Sequence, residues 1–185
     1  DATALGRDAL GHIIENELIV DRLWAACRAQ AGIEVVCPAT IESFAQDGEG
    51  VQATLSDGRV LTAKLLLGAD GARSKVRELA GIAVDAHDYG QQGLVAFVTT
   101  ERTHEDTAWQ RFLTTGPLAF LPFADGRCSI VWTLPTDEAM RLRDADEAGF
   151  LRELTRAFDA RLGECTAVSA RAAFPLRRQL AKAYV

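Results

Sequence analysis

The sequence predicts an α+β fold, in which an α/β region is followed by an antiparallel sheet with helices. Three observations lead to this prediction. Residues 1–84 mix short apolar, strand-like segments with helical periodicity. Residues 85–176 contain several alternating segments separated by turn signals, and two amphipathic helices end that region. Residues 177–185 are predicted to return to the first region. The predicted domains are therefore 1–84, 85–176 and a return segment, 177–185.

The first region combines one long helix with short β-branched runs. Apolar residues recur at helical spacing between Glu17 and Gln30, with Asn16 as a candidate N-cap and Gly32 as the stop signal. The strands predicted around this helix are Leu10–Ile14, Ile33–Cys37, Ile41–Phe44 and Val51–Leu55.

A hairpin and a glycine-rich turn complete the first region. Asp57-Gly58 stands between two alternating segments, which is a strong short-range hairpin signal, and Val60–Leu65 is the returning strand. The apolar run Leu65–Leu67 then predicts a buried strand. It leads into Gly68-Ala69-Asp70-Gly71 and a helix over Ser74–Leu79.

The second region predicts neighbouring strands followed by two helices. Thr136 is a candidate cap of the first helix, and Asp144 with Glu147 suggests a capping box for the second. The predicted strands are Gly93–Thr99, Trp109–Leu113, Leu118–Phe123, Cys128–Thr133 and Val168–Leu176.

Composition excludes several classes of protein. The formal net charge of −6 argues against a nucleic-acid partner, because phosphate binding needs a basic face. No apolar run reaches the ~20 residues of a membrane span. The four cysteines and three histidines have no metal-ligand spacing, so no metal site is predicted. The chain does not begin with Met, and its last residues are apolar, so we expect an internal piece of a longer protein.

The segment LLLGADGARSKVR, residues 65–77, is the best candidate for a binding site. A strand that ends in glycines before a helix is where α/β sheets bind ligands, and glycines let backbone N–H groups approach a pyrophosphate or a ring. Asp70 could accept hydrogen bonds from a ribose hydroxyl or from loop amides, or hold the turn. A turn without a ligand explains the spacing equally well. Neither GxGxxG, a P-loop nor GxSxG occurs.

These residues also resemble a known family. LLLGADGARSKVR is similar to the "DG" motif of class A flavoprotein aromatic hydroxylases. The segments AWQRFLTTGPLAFLPFADGRCSIVWTLP and FPLRRQLAKAYV resemble the ubiquinone-biosynthesis hydroxylases, the 2-polyprenylphenol monooxygenases, of that class. The resemblance covers nearly the whole chain. It implies part of a FAD/NAD(P)-binding Rossmann-like domain, without its GxGxxG and second "GD" motifs, and an antiparallel-sheet substrate domain.

The resemblance implies an activity and a set of site residues. The activity is hydroxylation of a ubiquinone-precursor ring with FAD, NAD(P)H and O2 through a C4a-hydroperoxyflavin. The cofactor-binding residues would be Asp70, Gly71, Ser74 and Arg77. Asn16 stands where many relatives carry an Arg near the flavin, and helix capping is the safer interpretation. Strand alternation would turn some of the sheet residues Phe112, Leu118, Phe120, Pro122 and Ile130 towards the substrate, although each of them is also an ordinary core candidate.

Two other functions remain as alternatives. One is a different flavoprotein of the same architecture, a halogenase or a prenyl reductase. The other is a non-catalytic α+β domain that binds an apolar small molecule. For the hydroxylase we expect a polyprenyl phenol or quinol substrate and a cytoplasmic location with peripheral contact to the inner membrane. Whether the protein forms a homo-oligomer or joins a biosynthetic complex is left open by the sequence. We also expect the isolated chain to bind FAD weakly or not at all.

Overall fold

The computed structural model describes residues 2–184, which form two compact units. The first unit contains the residues up to Ile19 together with Asp88–Arg177. The second contains Val20–His87 and the residues from Arg178 onward. Helices and antiparallel sheets are both present, as the predicted α+β class requires.

The second unit is built on a three-stranded antiparallel meander. Its strands are β1 (Ile41–Gln46), β2 (Val51–Leu55) and β3 (Val60–Ala63), in that order. The β2–β3 turn is the predicted Asp57-Gly58 hairpin: Gly58 has φ +85°, and Asp57 Oδ1 accepts the Arg59 N–H at 3.1 Å. Alternate residues of β2 are buried, so this strand carries the small core of the meander.

Two helices flank the meander in the chain. Helix α1 runs over Asn16–Ala29, so Asn16 is its first helical residue rather than a residue that precedes it. No residue of α1 is buried, and Leu23 is 60% exposed. Helix α2 is the short Lys75–Leu79, with Ser74 as N-cap, and ends before Gly81, which has φ +67°.

Three predicted strands are absent from residues 2–184. Leu10–Ile14, Ile33–Cys37 and Leu65–Leu67 have no strand assignment, and Leu67 is 77% exposed. A strand is defined by hydrogen bonds to a neighbour, and none of these segments has a strand beside it in the described chain. The prediction of strands from these apolar runs was therefore wrong for the described chain.

The first unit contains a six-stranded antiparallel sheet. The strand order is β5-β6-β7-β4-β8, and β9 also pairs with β4. The long β4 starts at Val84, well before the predicted Gly93, and the predicted last strand is split between β8 and β9. The strand bounds are β4 Val84–Thr100, β5 Trp109–Leu113, β6 Gly116–Pro122, β7 Cys128–Pro135, β8 Cys165–Val168 and β9 Ala172–Ala181.

Helices α3 (Thr136–Asp144) and α4 (Glu147–Ala157) cover one face of this sheet. Asp146, not the predicted Asp144, caps α4 and accepts the Gly149 N–H at 3.3 Å. Asp144 instead ends α3. The buried side chains between the helices and the sheet include Leu94, Leu118, Phe120, Ile130, Leu142, Phe150 and Leu154.

Arg171 ties this layer together at the end of α3. Its guanidinium donates to the Leu142 and Ala145 carbonyl oxygens and lies over the Phe150 ring, 4.8 Å from the centroid. These carbonyls lie at the end of a helix, where no intrahelical N–H is available to them. Arg171 therefore caps α3 from a distant part of the chain. No helix among residues 2–184 has the length and apolarity that crossing a bilayer requires.

Candidate functional site

The Gly68–Gly71 turn of the second unit is organised by the carboxylate of Asp70. Asp70 Oδ1 accepts the Ser74 hydroxyl at 2.5 Å, and Oδ2 accepts the backbone N–H groups of Lys75 at 2.7 Å and Val76 at 3.1 Å. The carboxylate thus lies against the first N–H groups of α2, which have no acceptor inside the helix. Donation by the Ser74 hydroxyl, followed by the Val76 N–H, lowers the pKa of Asp70 to about 2.

Ser74 and Arg77 extend this arrangement. Ser74 is 8% exposed, and its hydroxyl oxygen accepts the Arg77 N–H at 3.0 Å while the same hydroxyl donates to Asp70. The Arg77 guanidinium returns to the turn and donates to the Ala72 carbonyl at 2.9 Å. The Ser74 N–H also donates to the Gly71 carbonyl at 3.1 Å, so all four predicted cofactor-binding residues are joined by hydrogen bonds to one another or to the turn.

The glycines of the turn have different surroundings. Gly71 has φ +82°, where a side chain is strained, and no described atom lies within 4 Å of the position that a Cβ would take. At Gly68 a Cβ would lie 3.1 Å from Cγ1 of Val76, so this glycine lets α2 approach the turn. The position that a Cβ at Gly71 would take is therefore open space.

A cavity of about 540 Å³ adjoins the turn within the second unit. Gly71, Ser74 and Arg77 all line it, whereas Asp70 does not. Its apolar wall includes Phe44, Val51, Leu66 and Val76. The structure thus brings three of the four predicted residues to one concave surface of the size that small-molecule sites have.

Lys64 and Tyr184 also line the cavity and were not predicted. Lys64 directly precedes the apolar run, a position that could have marked it as a cation near the turn. Nothing in the local sequence marks Tyr184, which comes from the far end of the chain. Arg73 lies in the turn, and no hydrogen bond or ion pair joins its side chain to another residue in the described range.

The predicted substrate-wall residues lie on opposite faces of the six-stranded sheet. Phe120 is fully buried and stacks on Phe158 of the helical layer, and Pro122 pairs with the buried Cys128, on the same face. Phe112 is 79% exposed and pairs with Pro117, on the other face. Because a ring buried under a helix cannot contact a ligand on the open face, Phe120 belongs to the core. Leu118 and Ile130 share its face and its burial.

The face without helices is the open face, defined by cross-strand rows of β4, β5, β6 and β7. Side chains paired across neighbouring strands point the same way, so the register identifies its members. It is mostly apolar, with the hydroxyls of Ser129 and Thr133 as its polar groups on β7. Gln110 of β5 shares the row of Ala119. Besides Phe112, the apolar members are Val95, Phe97, Pro117, Ala119, Leu121 and Val131.

The cysteine and histidine side chains outside the turn form no further reactive site among the described residues. Burial raises the pKa of the Cys128 thiol to about 11, which keeps it protonated and unreactive at neutral pH. His104 is 7% exposed, and its ring nitrogens are hydrogen-bonded to the Asp106 N–H of its own loop and to the Phe123 carbonyl after β6. Among residues 2–184, no three His, Cys, Asp or Glu side chains come close enough together to hold a metal ion.

The chain is similar to known hydroxylases. The chain is 36% identical over 185 residues to the 3-demethoxyubiquinol 3-hydroxylase of Escherichia coli, which covers 100% of this chain and 47% of that protein. It is 37% identical over 184 residues to the ubiquinone hydroxylase UbiL of Rhodospirillum rubrum, covering 100% of this chain and 43% of that protein. The chain therefore spans less than half the length of these curated relatives.

Solved structures have the same fold. One is PqsL of Pseudomonas aeruginosa, described as a probable FAD-dependent monooxygenase, with 26% identity, a TM-score of 0.65, and coverage of 86% of this chain and 45% of that one. The p-nitrophenol 4-monooxygenase PnpA of Pseudomonas putida has 18% identity and a TM-score of 0.66, covers 91% of this chain and 44% of that one, and supports the fold alone.

The family profile described as "FAD binding domain" matches residues 16–185. This range contains the Asp70 turn, the cavity beside it and the whole six-stranded sheet. The glycine turn that the sequence singled out thus lies inside a match that spans most of the chain, and the protein belongs to the FAD binding domain family.

Proposed function

We propose that this chain is part of a FAD-dependent monooxygenase that hydroxylates the aromatic ring of a ubiquinone precursor, with NAD(P)H and O2 as co-substrates. Two curated relatives are named for ubiquinone and demethoxyubiquinol hydroxylation. The mitochondrial ubiquinone biosynthesis monooxygenase COQ6 of Homo sapiens, 36% identical over 163 residues, is also named for ubiquinone biosynthesis. The family match supports FAD as the cofactor.

The observation that carries the proposal is the clustering of Gly71, Ser74 and Arg77 on the wall of one cavity. FAD combines a charged pyrophosphate with flat, largely apolar rings. The cavity offers apolar and charged surface, with Phe44 and Leu66 as apolar wall, Arg77 and Lys64 as cations, and Asp47 and Glu49 as carboxylates of its lining. The negative charge of Asp70 is compensated by three donors, so it does not oppose an anionic ligand as a free carboxylate would.

In this proposal the residues of the chain bind and orient, and they perform no proton transfer. Gly71 presents an open backbone, Arg77 and Lys64 supply positive charge, and Ser74 holds the turn in shape. FAD, when bound, supplies the redox and oxygen-activating chemistry. The proposal assigns activation of the substrate phenol to groups elsewhere in the full-length protein.

The open face is the proposed wall of the substrate pocket. Its apolar side chains would exclude water from a phenol ring and from a polyprenyl tail, with Phe112 as the exposed aromatic member. The Phe97 ring is covered by the Arg127 guanidinium, 4.7 Å from its centroid. Phe112 remains a candidate for ring contact because of its exposure. Because a polyprenyl substrate is a lipid, we also propose a cytoplasmic enzyme that contacts the membrane peripherally. It would act as a homo-oligomer or within a biosynthetic complex.

The test begins with the full-length protein purified beside the 185-residue chain. A flavin absorption spectrum in the full-length protein, and weak or no flavin in the shorter chain, is the expected result. Incubation with NAD(P)H, O2 and a short-chain demethoxyquinol should then give a product heavier by one oxygen atom.

Product identity separates the remaining alternatives. A halogenated ring or a reduced prenyl chain would assign another flavoprotein activity of the same fold. A colourless full-length protein that does not bind added FAD would overturn the proposal and leave a non-catalytic binding domain.

A further inference from the structure

We infer that Thr133 is a substrate-binding residue, whose hydroxyl group forms a hydrogen bond with an oxygen substituent on the aromatic ring of the substrate. The inference deepens the proposed function and rests on it. It assigns recognition of the ring to one cross-strand row of the open face, and within that row to one polar atom.

Thr133 lies in the middle of a row that crosses the open face. It pairs with Gly93 of β4, and the register of β6 with β7 places Pro117 on its other side. Phe112 of the edge strand β5 pairs with Pro117 and ends the row there. At the other end is Leu176 of β9, whose Cδ2 is 3.7 Å from the position that a Cβ at Gly93 would take. Neighbouring strands are about 4.8 Å apart, so each end lies about 10 Å from Thr133, which leaves room for an aromatic ring.

Two glycines keep the surroundings of the Thr133 side chain open. Gly93 lies directly opposite Thr133 and brings no side chain to the open face. A Cβ at Gly116 of β6 would lie 2.9 Å from both Cβ and Cγ2 of Thr133, so only a glycine at that position leaves room for this side chain. The row is therefore lowest around the half-buried Thr133, between the larger side chains of Phe112 and Leu176.

The Thr133 hydroxyl is a hydrogen-bonding group without a partner among residues 2–184. A hydroxyl can donate one hydrogen bond and accept two, so it can bind a phenol or quinol oxygen in either direction. A site that hydrogen-bonds a substrate oxygen also discriminates against analogues without that oxygen, which an apolar wall cannot do strongly. Thr133 therefore supplies the orientation of the ring, whereas the apolar members of the open face supply burial.

The other polar side chains of the open face have different surroundings. Ser129 lies between Leu121 and Phe97, and the Arg127 guanidinium covers the Phe97 ring, 4.7 Å from its centroid. Gln110 is exposed on the edge strand β5, where water competes for its hydrogen bonds. The hydroxyl between the two glycines is therefore the polar group of this face that a ring can approach most closely.

The experiment uses the full-length, FAD-loaded protein with Thr133→Val, Thr133→Ser and a matched control. The control is Thr54→Val, a half-buried threonine of β2 in the other unit. Two probes are compared by anaerobic equilibrium dialysis: a short-chain demethoxyquinol, and the alkylbenzene of the same chain length, which has no ring oxygen. We expect Thr133→Val to weaken the Kd of the quinol by about three- to tenfold, the usual range for a neutral hydrogen bond. Its Kd for the alkylbenzene and its Tm should stay unchanged, because valine has nearly the same shape as threonine.

The serine variant and the second probe distinguish a hydrogen bond from a change of shape. Thr133→Ser keeps the hydroxyl and should bind the quinol about as tightly as the unmodified protein, and Thr54→Val should change neither Kd. Equal weakening of both probes by Thr133→Val, or an unchanged Kd for the quinol, would overturn the inference. A serine variant as weak as the valine variant would overturn it too. An unmodified full-length protein that binds no FAD would instead reject the proposed function, and the inference with it.

Discussion

The rings of Phe120 and Phe158 stack with their centroids 3.9 Å apart and an interplanar angle of 22°. This contact joins strand β6 to the residue that ends α4, and both rings are almost completely buried. This contact therefore stabilises the packing of the helices on the sheet. Phe112 lies on the edge strand β5, on the opposite face of the sheet, and is 79% exposed.

Phe158→Ala should destabilise the protein by about 3–5 kcal/mol, because it removes a buried ring and leaves a cavity beside Phe120. Phe112→Ala is the matched control, and its 79% exposure predicts a change within about 0.5 kcal/mol. Urea unfolding of the full-length protein, followed by far-UV circular dichroism, measures both. Equal losses for the two variants would contradict the assignment of the two faces.

The contribution of Asp70 to stability should depend on pH. Hydrogen bonds lower its pKa in the folded protein to about 2 from an ordinary 3.8. A depressed carboxyl pKa stabilises the fold above the ordinary value, and this stabilisation is lost as the pH falls through the folded value. The difference in unfolding free energy between the wild type and Asp70→Asn should therefore be constant near neutrality and shrink below about pH 4. Urea titrations at several pH values test this, and a difference that stays constant down to about pH 3 would contradict it.

His104→Ala should destabilise the loop between β4 and β5. The Asp106 N–H donates to Nδ1 at 3.1 Å, so Nε2 carries the proton and donates to the Phe123 carbonyl at 3.0 Å. Removing the ring leaves a carbonyl and an N–H without partners, at a cost of about 1–3 kcal/mol. His12→Ala, at an exposed position, should change stability by no more than about 0.5 kcal/mol. Proteolytic cleavage within residues 101–107 should also become faster for His104→Ala alone.

Gly116→Ala should cost more stability than Gly126→Ala. Both glycines have positive φ, +139° and +88°, so both substitutions strain the backbone. At Gly116, however, the added Cβ would lie 2.7 Å from the Thr133 carbonyl oxygen, whereas at Gly126 no described atom is within 4 Å. The additional cost of overpacking at Gly116 is about 1–3 kcal/mol. Thermal unfolding of the two variants measures it, and equal Tm values would show that β7 moves aside freely.

Much of the fold followed from local sequence signals. The Asp57-Gly58 hairpin, helix α1 and the strands β5 to β7 are where turn residues and periodicity predicted them, within a few residues. These features depend on groups close together in the chain, such as the Asp57 carboxylate that accepts the Arg59 N–H. The Gly68–Gly71 turn was identifiable for the same reason, as glycines between an apolar run and a helix.

Other features depended on residues far apart in the chain, and the sequence did not indicate them. Alternation along β6 separated its two sides but could not say which side the helices would cover. The packing of Phe158 decided that Phe120 is core. Apolarity alone could not turn Leu65–Leu67 into a strand, since a strand needs a hydrogen-bonded neighbour. The sequence by itself thus determined the turn motif and the order of elements. Only the tertiary structure decided that Asp70 points into the turn and that the sheet has one open face, because burial and hydrogen-bond partners arise from contacts between distant segments.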